Sequence, residues 1–139
     1  MRILPVISRL KSQCQLLQNR VETAQSLTAL TDEEILYDLP LAFVYSGKEI
    51  AGPSEIINAT SQLVPKRFHV MIAAQNTTQS IEPIEDIREQ IKSALIGWQP
   101  DGDHDNISFV EGDIIDLSKR LIWWKDTFET WGILPGQKS

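Results

Sequence analysis

Residues Ile84 to Pro100 read IEDIREQIKSALIGWQP. Ile84, Ile87, Ile91 and Leu95 recur at three- and four-residue steps, and Ala94 and Trp98 extend the same side. Glu85, Asp86, Arg88, Glu89, Gln90, Lys92 and Ser93 fill the positions between them and make the other side wet. This is the period of an amphipathic helix, predicted over 84–96, that packs by one stripe onto an apolar surface. Pro83 suits the first helical turn, and Glu82, Glu85 and Asp86 favour the positive end of the helix dipole. Gly97 can take the left-handed conformation that closes a helix, and Pro100 prevents it from resuming. Strand-like segments on both sides of this element predict a helix laid across a sheet.

Working outward, Ile3, Ile7, Leu10, Cys14 and Leu17 keep a helical rhythm with polar residues between them, predicting a helix over 3–17 with Pro5 in its opening turn. Cys14 lies on that stripe and reads as a small buried hydrophobe. The segment 21–29 fits either a short strand or a loop. Thr31 and Glu34 have the spacing of a capping box and predict a short helical turn through Leu36. Leu41–Tyr45, LAFVY, is a compact run of β-formers and reads as a buried strand. Gly47 to Pro53 reads as a turn or long hairpin loop. Glu55–Leu63 and Lys66–Ala74 read as two strands, the second half-buried because Phe68, Val70 and Ile72 alternate with Arg67, His69 and Met71. Gln75–Ser80 is a polar connection. Beyond the polar loop DGDHDN, 101–106, Ile107–Glu111 reads as a strand, Gly112-Asp113 as a tight turn, and Ile114–Leu117 as its partner. Arg120–Trp131 reads as the last strand and 134–139 as a disordered polar tail. Grouped strands with two main helices imply a single α+β domain over 1–139, its sheet mainly antiparallel with helices on one face.

The chain has 139 residues, enough to bury a real core. A net charge of −6 offers no basic excess with which to release counterions from phosphate, arguing against general nucleic-acid binding. No apolar run approaches the ~20 residues of a membrane span. The start MRILPVISRLK is too short and too interrupted by charge to read as a signal peptide. One cysteine cannot form an internal disulfide, which points to a reducing compartment such as the cytoplasm.

No catalytic constellation emerges. Asp101, Asp103 and Asp105 alternate like the first ligands of a calcium loop, but Asn106 stands where that loop needs glycine and Gly112 where it needs a bidentate glutamate. A solvated turn after a helix explains the same residues. His69 and His104 have no second histidine or cysteine at zinc spacing. There is no phosphate loop, dinucleotide fingerprint or nucleophile elbow. The expectation is therefore no enzyme, no cofactor and no metal. Tryptophans are more informative: adjacent strand residues Trp123 and Trp124 must point to opposite faces, so one of them is expected at a protein interface, where aromatics are enriched.

The opening helix MRILPVISRLKSQC, the strands LPLAFVY and RFHVMIAAQN, the helix end ALIGWQP (94–100) and ISFVEGDIIDLSKRLIWWKDTFET together resemble bacteriophage tail terminator proteins. The resemblance spans almost the whole chain. It implies an α+β structural protein of the virion tail, in the neck region, assembled in the host cytoplasm. Such proteins form a homo-hexameric ring that caps the head-proximal end of the tail tube, stops tube polymerisation and joins the neck or connector, with added sheath contacts in contractile tails. DNA passes through the lumen without specific binding. Contact residues are then expected at Lys48, Glu49, Asn76, Trp123 and Trp124, and in the acidic loop at Asp101, Asp103 and Asp105, which could repel passing DNA. Competing readings are another neck or tail-completion protein, a small ligand-binding or enzymatic domain, and an acidic nucleic-acid mimic.

Overall fold

The computed structural model describes residues 2–49, 56–58, 61–76 and 82–134. The central helix forms as its pattern predicts: α4, Glu82–Leu95, buries Ile84, Ile87, Ile91, Ala94 and Leu95. Gly97 closes it at φ +83°, and its N–H then donates to Ile107 O at 2.8 Å. The opening helix is shorter than predicted. α1 spans Leu4–Gln13, and Cys14 leaves the helical region at φ −107°, ψ 88°, before a single 3-10 turn, Gln15–Leu17. The apolar stripe hid this break, because Cys14 and Leu17 stay buried beside Val6, Ile7 and Leu10. Gln18 and Asn19 take positive φ and turn the chain into the sheet.

Six strands form that sheet: β1 Val21–Thr23, β2 Leu41–Glu49, β3 Ile56–Asn58, β4 Ser61–Gln75, β5 Ser108–Leu117 and β6 Leu121–Leu134. Their order is β1-β2-β4-β6-β5, with β3 pairing β4 beside this path. Among the described residues only β1–β2 is parallel. The fold is α+β with a mostly antiparallel sheet. The ambiguous 21–29 segment resolves into β1 followed by a helical turn, α2, Ala24–Leu27. Thr31 caps α3, Asp32–Tyr37, by accepting Glu34 N–H at 3.2 Å.

Three predicted breaks are absent. Gly47 lies within β2, where a Cβ would come within 2.9 Å of His69 Nε2 and 3.0 Å of Arg67 O, so glycine serves a close approach there. Residues 50–55, the rest of that predicted loop, lie outside the described residues, as do 77–81 and the tail from 135. β4 runs straight through Pro65. Its missing N–H is tolerated because β2 pairs only to Lys66 and β3 only from Gln62, while Trp131 of β6 faces Pro65 on the other side. β5 likewise continues through Gly112-Asp113, and the turn to β6 falls at 118–120.

Alternation along the strands divides the core in two. Phe68, Val70 and Ile72 of β4, Ile122 and Phe128 of β6, and Ala42 and Val44 of β2 face α1 and α4. Leu41, Phe43 and Ala73 face the other way, where Ile35, Leu27 and Leu30 of the short-helix region cover one end of the sheet. Helices therefore occupy both faces, not one, and the unbroken LAFV run is explained by burial on both sides. Each fully buried aliphatic or aromatic side chain here stabilises the fold by about 1.5–3 kcal/mol.

Candidate functional site

The loop after α4 is built from its own side chains. Asp101 Oδ1 accepts from Asp103 N at 2.8 Å and contacts His104 Nδ1 at 2.6 Å. Asp105 N donates to Trp131 O at 2.8 Å, and Thr130 Oγ1 donates to Asp105 O at 2.6 Å. The loop is thereby tied to the far end of β6, and Asp101, Asp103 and Asp105 remain exposed together. Burial pushes the Asp101 carboxyl up, but the bonds from His104 and from Asp103 N–H outweigh it and hold it below 3.8. The loop's contribution from this group is present above that range and lost as the pH falls through the lowered value. His104 itself is buried against Gly132, with no hydrogen-bond partner found for Nε2. Its ring faces the sheet, packed against Gly132. Among the described residues no three His, Cys, Asp or Glu side chains converge as metal ligands, and no helix is long and apolar enough to cross a membrane.

The other expected contact residues lie apart from this loop. Asn76 sits at the opposite end of β6, with its N–H on Arg120 O at 2.9 Å and its side chain on Ser118 O. Lys48 and Glu49 belong to β2, and their side chains lie outside the described residues. Trp123 and Trp124 do occupy opposite faces, each half-buried. Trp123 stacks on Phe43 with ring centroids 6.1 Å apart, and Trp124 lies 4.2 Å below the Arg88 guanidinium.

Sequence reasoning missed two features. The first is the cluster Arg88–Asp126–Trp124: Arg88 Nη2 and Nε bind the Asp126 carboxylate at 2.8 and 3.1 Å, and Trp124 Nε1 donates to it at 3.2 Å. A Cβ on Gly112 would lie 2.5 Å from both Arg88 Nη2 and Asp126 Oδ1. Gly112→Ala is expected to cost about 1–3 kcal/mol in urea unfolding, whereas a turn glycine at negative φ would tolerate alanine. The second is the outer edge of β5, where Ile114, Ile115 and Leu117 are exposed. Ile114–Leu117 reads in sequence only as a strand, and which strand ends the sheet is not a local property.

Cys14 is enclosed by the helix layer, and its thiol is pushed up to about 11 by burial, with Arg9 opposing. Native protein at pH 8 should therefore react with iodoacetamide at least tenfold more slowly than urea-unfolded protein, measured by mass; equal rates would mean the stripe opens.

Among the described residues the surface offers exposed polar loops, a sheet edge with no strand beyond β5, and a groove of about 510 Å³ lined by Gln13, Leu16, Asp86, Glu89 and Gln90. The chain belongs to the phage tail terminator protein family, whose family model matches residues 2–137. It is thus a structural component of a phage tail. Among solved structures, a chain in "Virion of native gene transfer agent (GTA) particle" shares the fold, with a TM-score of 0.63 and 14% identity over 94% of this chain and 95% of that one. No curated protein matches the sequence.

Proposed function

We propose that the protein, acting as one unit over its whole length, caps the head-proximal end of the tail tube as a hexameric ring. It stops tube polymerisation there and presents the surface that joins the neck. The family match over 2–137 carries this reading. The contact surfaces lend support, since an uncovered edge and anchored loops suit partners larger than a substrate. The tied-down Asp101–Asp105 loop and the ends of the strands bearing Lys48, Glu49 and Asn76 are the contact points with tube and neck, joined by the open parts of Trp123 and Trp124. Acidic loop residues facing a lumen keep DNA from adhering by like-charge repulsion.

The test is electron microscopy of particles from a phage lacking this reading frame. Overlong tails beside DNA-filled heads are the expected result. Tails of normal length that fail to attach would move the protein to the neck as a completion protein. Intact infectious particles would overturn the structural role.

A further inference from the structure

β5 is exposed on both faces of the sheet: every residue from Glu111 to Leu117 is open to solvent. Among the described residues no strand lies on its outer side. Ile114, Ile115 and Leu117 are 46%, 48% and 58% exposed, so an unpaired row of peptide groups runs beside aliphatic side chains. Such an edge is a template for another strand; β5 has no proline or lysine, and its two bulges, at Phe109–Glu111 and Ile114–Asp116, leave Glu111–Ile114 as the regular stretch between them. The opposite side of the sheet is open as well. β1 covers β2 only over Ala42–Val44, and among the described residues nothing pairs with the outer side of Tyr45–Glu49.

We infer that these two edges join, β5 of one copy adding beside the Tyr45–Glu49 portion of β2 in the next. This deepens the ring reading and rests on it. Strand direction supports the joint. β2 runs against β4, β4 against β6, and β6 against β5, so β2 and β5 run in opposite senses. Copies rotated about an axis along the strands keep those senses, and the antiparallel ladder continues from one subunit into its neighbour. Charge selects the same occupant. β5 holds Glu111, Asp113 and Asp116 and no cation, so two β5 edges facing each other would oppose acid to acid, which destabilises a sheet. The YSGKE segment of β2 has one acid and one base in its sequence, so it adds no net negative charge to the joint. Symmetry agrees, because contacts between two different patches generate rings when the rotation closes.

Thiol crosslinking tests the joint in the full-length chain. Ser46→Cys and Ile115→Cys variants are prepared singly, together in one chain, and as an equal mixture, then treated with a short bismaleimide after light scattering has measured their mass. Both positions are exposed, and buried Cys14 serves as the silent background. The double variant is expected to give a covalent ladder up to the ring, the mixture dimers only, and each single variant monomers. Rings of full mass without a ladder would overturn the edge joint while leaving the ring intact, as would dimers from Ile115→Cys alone. Wild-type protein that forms no ring, free or on tail tubes, would overturn the ring reading and the joint together.

Discussion

Arg88→Met lowers the unfolding free energy by about 3–5 kcal/mol, because it leaves a buried carboxylate without its counter-charge. Asp126 is 0% exposed and the Arg88 side chain 13%, and the guanidinium reaches the carboxylate through both Nε and Nη2. Methionine keeps much of the apolar stem of Arg88 while removing the guanidinium that lies over the Trp124 ring, so the loss reports the charged group more than the volume. Trp124 Nε1 alone cannot replace a bidentate arginine. The double variant Arg88→Met/Asp126→Leu should regain most of the loss, since replacing a buried pair by apolar groups of similar volume is often neutral. Urea midpoints at pH 7 for the wild type and the single and double variants measure both effects. A single variant within 1 kcal/mol of wild type would show that Asp126 finds water.

Phe128→Ala should cost a similar amount, about 3–5 kcal/mol. Phe128 is fully buried where three strands and a helix meet. It stacks on Phe68 of β4 at 5.5 Å and meets Phe109 of β5 edge-on at 5.6 Å. Phe109 in turn carries Lys92 of α4 over its ring at 4.4 Å. A cavity at this point loosens the attachment of β5, so amide hydrogens of 108–111 should exchange faster than those of β2. Trp131→Ala is the matched control. That ring is 40% exposed, and its removal should shift stability by under about 1 kcal/mol. Equal losses at the two positions would mean that Trp131 has a buried role in the isolated chain.

The elements legible in the sequence were those whose instructions are local. The helix at 84–96 was readable because its stripe, its first-turn acids and its closing Gly97 all lie within the segment. The facing of Phe68, Val70 and Ile72 followed from alternation, and the opposite orientations of Trp123 and Trp124 from adjacency. Misread positions were those where a distant residue decides. Gly112 looks like a turn until Arg88 and Asp126 are placed against it, and Pro65 looks like a break until the gap between β2 and β3 is known. Cys14 interrupts α1 without interrupting its stripe, which no periodicity can reveal. The acidic loop was found as a cluster, whereas the β5 edge was not, because its openness depends on which strand ends the sheet.

The long pairing of β4 with β6, from Gln62–Leu134 to Gln75–Leu121, also governs when the chain can fold. β6 follows every other described strand in the chain, yet it sits inside the sheet and is the strand to which β5 attaches. Pairing across such sequence separation is slow, because the intervening chain must close before contacts reward it. A nascent chain on the ribosome therefore holds its N-terminal half without a finished sheet, and β5 has no strand to pair with until β6 has been made. Chains truncated before Leu121 lack the strand that holds β5, so β5 cannot join the sheet in them.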